Sequence, residues 1–174
     1  MKMQALFIIA FILSIQFLPA QTADLDPEKW AVELSKKDRG VYDSLFSLAV
    51  RLEKVDSIKA FQFLDELAEK GRSKGDHFKA LFNCLKARII YYKSYWEFYR
   101  NRPTSVNLDL IKQQLMRLHS SAIDIAYREE DDMLVAYVSY SYGSVIILFG
   151  EVGLSVMYAK NGIDLFEKLA YEVL

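Results

Sequence analysis

The residue types that most often carry out chemistry are scarce in this chain. His77, His119 and Cys84 provide its only imidazole and thiol groups. A nucleophilic mechanism typically places its nucleophile on a strained turn beside a glycine-rich loop, and the sequence shows no such loop. Cys84 lies four residues after Ala80 and three before Ala87, the spacing of a small buried helix residue. We therefore predict no catalytic residue and no enzymatic activity.

An acidic run, Glu129-Glu-Asp-Asp132, is the cluster most suited to holding a cation. Calcium loops space their oxygen ligands through a glycine-containing turn, and this run has no such spacing. Carboxylates in such a run can also cap helices, or they can lie hydrated at the surface. We interpret the run as a solvated turn and predict no metal and no cofactor. Walker, dinucleotide-binding and zinc motifs are likewise lacking in the sequence.

Composition gives information on both the partner and the fold class. The 174 residues include 22 Lys+Arg and 23 Asp+Glu, so no basic excess indicates nucleic-acid binding. With 3 Pro and 7 Gly, the chain favours long helices over a turn-rich β fold.

The N-terminal segment has the three-part layout of a secretory signal peptide. Lys2 precedes an apolar run from Ala5 to Leu18, and Ala20 offers a cleavage site. The run is shorter than the roughly 20 residues that span a membrane. We predict a signal peptide over residues 1–20, and a protein that is periplasmic or membrane-associated on the periplasmic side.

Helical periodicity and capping residues organise the rest of the chain. The segment that starts at Asp76 is predicted to continue to about Arg100, before Pro103 stops it. Met133 to Gly150 is 18 residues without a charge; a membrane helix is one interpretation, and a buried helix is the one we prefer. The candidate helix starts are Asp26, Asp56, Asp76, Ser105 or Asn107, and Asp132.

Two segments repeat with an offset of 56 residues. Residues 72–76 align with 128–132, and the small residue Ala87 then falls on Gly143. A second set of small residues, at spacings of four and three, follows a turn at Gly150 and predicts two helices in close contact. This set is Ser155, Ala159 and Gly162.

This pattern of small residues resembles the tetratricopeptide repeat family. The family's aromatic position is occupied here by Ile146, and the proline that closes a repeat is lacking. The resemblance implies an all-α fold in which antiparallel helical hairpins form a right-handed α-solenoid. We expect about three helix pairs within residues 24–174.

The resemblance also implies that the first helix of each repeat lines a concave groove that binds protein or peptide. Arg88 is the preferred contact residue, because a buried arginine without a partner would be costly. The alternative, that the aromatic residues pack between repeats, stays open. The expected groove residues are Arg88, Tyr91, Tyr92, Tyr137, Tyr140 and Ser144.

These features predict an exported, non-enzymatic interaction module or scaffold. Such a module is similar to the sensor half of bacterial two-component kinases and of membrane-tethered helix-turn-helix regulators, especially Bacteroidota-type proteins. It would be the input part of a larger signal-transduction protein, held at the membrane by its signal peptide or by a further C-terminal segment. The alternative is an assembly subunit that self-associates through its C-terminal helices, because Glu172-Val-Leu174 follows an apolar helix without a capping signal.

Overall fold

The computed structural model describes residues 25–96 and 107–171 of the chain, and within these ranges the fold is all-α, as predicted. The signal segment at residues 1–20 and the break at Pro103 lie outside the described residues. The helices are α1 Pro27–Glu33, α2 Gly40–Lys54, α3 Ser57–Gly71, α4 Asp76–Ile90, α5 Leu108–Arg128, α6 Asp132–Ile146 and α7 Val152–Tyr171.

Polar side chains cap α1, α3 and α5 where the sequence indicated, whereas the cap position before Asp76 of α4 is Gly75, which makes no side-chain hydrogen bond. Asp26 accepts a hydrogen bond from the Glu28 amide at 2.9 Å, and Asp56 and Asn107 cap α3 and α5 in the same way. Within the acidic run, Asp131 rather than the predicted Asp132 accepts from the Leu134 amide at 3.0 Å and caps α6. An oxygen at this position satisfies an amide that has no partner within the helix.

The segment predicted as one long helix from Asp76 is α-helical only as far as Ile90. It continues as a π-helix, Tyr91–Trp96, and residues 97–100 lie outside the described part. The π-helix includes Lys93, whose ammonium group donates to the Glu53 and Val55 carbonyls at 2.9 and 2.5 Å. These carbonyls lie at the C-terminal end of α2, where helix carbonyls lack partners and a positive charge is favourable.

The helices pack in the order expected for stacked hairpins. Helices α4 and α5 contact each other, as do α6 and α7, while α2 contacts α4 and α4 contacts α6. The right-handed twist of the array stays a prediction. The largest fully buried side chains among the described residues are leucines and isoleucines: Leu34, Leu45, Leu48, Leu52, Leu64, Leu67, Leu81, Leu85, Ile89, Leu115, Ile125 and Leu134.

An ion pair recurs in the last two hairpins and supports the internal repeat. Arg128 of α5 lies 3.5 Å from Asp76 at the start of α4, and Lys168 of α7 lies 3.6 Å from Asp132 at the start of α6. The acidic partners are 56 residues apart, and the basic partners, at 128 and 168, are 40 apart. The first helices of the two hairpins are therefore related by an offset of 56 residues, and the second helices by an offset of 40 residues.

A hydrogen bond between the two helices of each hairpin recurs with the same offsets. Asn83 of α4 donates to Ser121 of α5 at 3.2 Å, and Asn161 of α7 donates to Ser139 of α6 at 3.4 Å. The asparagine is on the first helix in one hairpin and on the second helix in the other. The two positions that the bond joins are nevertheless equivalent.

The uncharged segment Met133 to Gly150 forms α6 and a short 3₁₀ helix, Ile147–Phe149, that ends at Gly150 with a φ of 79°. Its Leu134, Val138 and Ile146 side chains lie in the protein core. None of the helices in the described ranges has both the length and the apolar character needed to cross a membrane.

Candidate functional site

His119 is a core residue of α5. Its side chain is fully buried; Nδ1 donates to the Leu115 carbonyl at 2.9 Å, and Nε2 accepts from the Ser141 hydroxyl at 3.3 Å. Its ring stacks on Tyr142 with centroids 5.1 Å apart. Burial lowers the pKa of His119 to about 4, so the ring is neutral at physiological pH and joins α5 to α6.

His77 is buried at the start of α4, close to several charged groups. Its side chain is 3% exposed, and neither ring nitrogen has a hydrogen-bond partner. Its Nδ1 lies 3.7 Å from the Asp131 carboxylate, beyond hydrogen-bond distance. Burial lowers the pKa of His77, while Asp131 opposes that shift. Burial thus favours the neutral ring here also.

The remaining chemical candidates also have structural roles. Glu129 pairs with Lys37 at 2.6 Å across the surface, while Asp131 caps α6. Cys84 is buried, and burial raises the pKa of its thiol to about 12, which opposes nucleophilic reactivity. In the part of the chain that the structure describes, no group of histidine, cysteine and acidic side chains has the arrangement of a metal site.

Two of the expected groove residues contact neighbouring helices. Arg88 donates from Nε to the Glu53 carboxylate of α2 at 2.7 Å, and its guanidinium lies 5.0 Å from the centre of the Phe46 ring. Tyr137 of α6 packs against Tyr42 of α2 with ring centroids 5.1 Å apart, and burial raises its pKa. Arg88 thus connects α4 to α2, and Tyr137 connects α6 to α2.

The other four expected groove residues differ in exposure. Tyr91 and Tyr92 are half-buried in the π-helix. Tyr140 is 47% exposed, and Ser144, which donates to the Tyr140 carbonyl at 2.9 Å, is also exposed. Tyr140 and Ser144 are therefore the expected groove residues most accessible to a partner.

The last hairpin brings two helix backbones into direct contact. A Cβ placed on Gly143 would lie 2.6 Å from the Ala159 nitrogen, and one on Gly162 would lie 2.7 Å from the Ala136 carbonyl oxygen. Ser155 donates to the Gly143 carbonyl at 2.7 Å. The close approach that the small residues predicted is confirmed.

Several large apolar side chains of this hairpin are exposed to solvent. We call this set the open face; it consists of Tyr140, Ile147, Val152, Val156 and Ile163, whose side chains are 45–58% exposed. Of these five residues, only Tyr140 was expected at a binding site, and self-association was predicted through the C-terminal helices without named residues. The spacing of Val152, Val156 and Ile163 was a visible signal, because intervals of four and seven place residues on one side of a helix.

Residues of α4 and α5 line a polar groove. Lys79, Arg117, Asp124 and Arg128 contribute to an open cavity of about 600 Å³. Arg128 already pairs with Asp76, and Asp124 places a negative charge among the cations. The groove therefore has mixed charge.

Comparisons of this chain with protein-family models, with curated proteins and with solved structures give no match. The geometry of the described residues is consequently the basis for a functional assignment.

Proposed function

We propose that this chain is an exported, non-enzymatic protein-interaction module built from tetratricopeptide-like helical hairpins. The observation that carries the proposal is the open face. It places five large apolar side chains on one hairpin, and each is about half exposed to water. Contiguous exposed apolar side chains on a folded domain are a typical property of protein-binding surfaces.

The structural roles of the other candidates agree with this proposal. The buried histidines and Cys84 have environments that favour their neutral forms, and the acidic run supplies a cap and a surface ion pair. The signal-like layout of residues 1–20 supports export, and an exported module of this kind would suit the input side of a signalling protein.

Photo-crosslinking in the native cell tests the proposal. A benzophenone amino acid at position 156 should crosslink to another protein, because Val156 lies on the open face and is 58% exposed. Position 58 is the matched control, since Ile58 on α3 is 72% exposed and lies away from that face. Equal crosslinking from positions 156 and 58 would contradict a specific surface.

The expected peptide groove calls for a different experiment. Changing Tyr137 would disturb its contact with Tyr42, so a loss of binding could reflect repacking. Ser144→Glu instead changes an exposed groove side chain that is not part of the open face. If the groove binds a partner, this variant should weaken binding and leave the helical circular dichroism unchanged.

A subunit that self-associates through its C-terminal helices is the second candidate function, because the open face would serve that role as well. Sedimentation of the full chain separates the two. Self-association requires a concentration-dependent dimer or larger species that Val156→Glu disrupts, whereas a module for other proteins sediments as a monomer.

A further inference from the structure

His77 lies where three segments of the fold meet. It is the second residue of α4, and charged groups of two other segments act on its ring. The α5–α6 turn contributes Glu129 and Asp131, and the α1–α2 loop contributes Lys37. Lys37 and Glu129 form an ion pair at 2.6 Å that joins the loop to the turn. We call this place the His77 junction; it consists of His77, Lys37, Glu129 and Asp131.

The His77 ring is buried without a hydrogen bond. Its side chain is 3% exposed, and neither Nδ1 nor Nε2 has a hydrogen-bond partner. A neutral imidazole has one N–H donor and one acceptor nitrogen, and buried polar atoms of this kind are nearly always paired. His119, the other histidine of the chain, bonds through both nitrogens. The His77 ring is therefore held in place by the packing around it and not by hydrogen bonds.

The charged groups of the junction leave a proton on this ring poorly stabilised. One oxygen of the Asp131 carboxylate lies 3.7 Å from Nδ1, while the other caps α6 by accepting from the Leu134 amide. Glu129 bonds to Lys37, whose ammonium group disfavours a positive charge on the ring. A protonated ring in this position would be a buried cation without a hydrogen bond, and burying such a cation is costly.

Other titratable groups near the junction keep their charge state in mild acid. Tyr42 of α2 lies near Asp131, and burial raises the pKa of its hydroxyl. Asp76 of α4 pairs with Arg128 of α5 at 3.5 Å. The hydrogen bond to Lys37 lowers the pKa of Glu129. Ordinary aspartate, glutamate, lysine and arginine side chains stay charged between pH 7 and pH 5. Acidification across this range therefore acts on the junction through His77.

We propose that the His77 junction is a proton-sensitive latch, in which the neutral ring stays buried and a proton on the ring releases the α1–α2 loop from the α5–α6 turn. The charged ring gains its full set of hydrogen bonds by reaching water, and water reaches it when the loop and the turn separate. The latch shares no residue with the open face, so it goes beyond the proposed interaction function and adds sensitivity to acid.

The direction of the effect follows from the balance of forces on the ring. Burial lowers the pKa of His77, and this outweighs the opposing attraction of Asp131. The open junction therefore binds the proton more tightly than the closed junction does. The closed junction is fully stabilised above the ordinary histidine pKa of 6.5 and loses stability as the pH falls below it.

Amide hydrogen exchange of the full chain tests the latch. The amides of Lys36, Val41 and Glu129 are hydrogen-bonded in the loop and the turn, so their protection factors, corrected for the intrinsic effect of pH, measure the opening. We expect these factors to fall several-fold between pH 7 and pH 5, and by at most about 25-fold, because a histidine in water becomes largely protonated over this range. The amide of Ser155, which bonds to the Glu151 carbonyl at the start of α7, should change little.

Three variants separate a proton effect from a packing effect. His77→Gln should remove the pH dependence, because an amide side chain does not titrate. Asp131→Asn should enlarge the fall in protection, because asparagine can still cap α6 but no longer attracts a proton on the closed ring. A purely structural role of Asp131 would shift protection equally at both pH values. His119→Gln is the matched control and should leave the ratio between pH 7 and pH 5 unchanged, because the pKa of His119 is about 4.

The ring signals of His77 in the unaltered chain, followed by NMR, give a measurement that does not depend on a variant folding. Titration of His77 below pH 6.5, with faster exchange in the loop and the turn at pH 5, supports the latch. A titration at or above pH 6.5 would overturn it. Exchange that is independent of pH would do the same, as would exchange that slows at pH 5 because the proton joins His77 to Asp131. An equal fall at Ser155 would also count against the latch, since the whole chain would then lose stability.

Discussion

The hairpins α4–α5 and α6–α7 share matched polar contacts but differ in the size of the side chains between their helices. Both have an ion pair at one end and an Asn–Ser hydrogen bond between their helices. Between these fixed points the first hairpin carries larger side chains than the second. The first has Ala87, Leu115, His119 and Ala122, and the second has Gly143, Ser155, Ala159 and Gly162 at the corresponding positions.

Hairpins with the same polar contacts can therefore hold side chains of quite different volume between their helices. With glycine at 143 and 162, backbone atoms of α6 and α7 meet directly. The preceding hairpin fills the equivalent space with Leu115 and His119, and His119 also reaches α6. The helix ends diverge too, because Tyr91 begins a π-helix and Ile147, its counterpart, begins a 3₁₀ helix.

Gly143→Ala should give the largest effect, even though alanine is the residue at the matching position 87. Its Cβ would lie 2.6 Å from the Ala159 nitrogen and 2.8 Å from the Ser155 oxygen, and neither backbone atom can rotate away. We expect the free energy of unfolding, measured in urea, to fall by about 3 kcal/mol. Gly153→Ala is the control, because a Cβ there meets nothing within 4 Å. Equal stabilities for the two variants would show that the helices can separate without cost.

His119 should make the first hairpin sensitive to acid in a way that Ala159 cannot. Its folded pKa of about 4 lies below the unfolded value of 6.5, so the unfolded chain binds the proton more tightly. The stabilisation is therefore complete above pH 6.5 and is lost as the pH falls towards 4, for a total of about 3 kcal/mol. Urea unfolding across this range should show a shallower pH dependence for His119→Gln than for the wild type. His77 contributes to both slopes, so the difference isolates His119.

The matched ion pairs should give the smallest effects. Arg128 and Lys168 have side chains that are 66% and 59% exposed, and water screens such pairs. Arg128→Ala and Lys168→Ala should each lower the free energy of unfolding by about 0.3 kcal/mol. A loss above about 1 kcal/mol for only one of them would show that the two hairpins do not use this contact equivalently.

Local patterns in the sequence predicted the elements and the closest helix contact. Asp26, Asp56 and Asn107 indicated helix starts, because capping depends on residues only two or three positions apart. The spacing of Gly143 and Gly162 relative to their small partners indicated where backbones would meet. The 56-residue offset was also visible, since the turns before α4 and α6 have similar polar residues.

The candidate site was less accessible to sequence reasoning, because it depends on contacts between distant segments. Nothing near Arg88 in the chain indicates that Glu53 is its partner, and nothing near Tyr137 indicates Tyr42. Periodicity places Val152 and Val156 on one side of α7 but does not tell whether another helix covers that side. The structure supplies that information, because Val152 and Val156 are 57% and 58% exposed.

The π-helix after α4 has a consequence for how the molecule opens. Lys93 is only 7% exposed, and its ammonium group holds two carbonyls at the end of α2. If residues 91–96 unwind, the end of α2 loses its cationic cap and those carbonyls must find water. The two segments, distant in sequence, therefore belong to one cooperative unit of local unfolding, and their amides should exchange with solvent together.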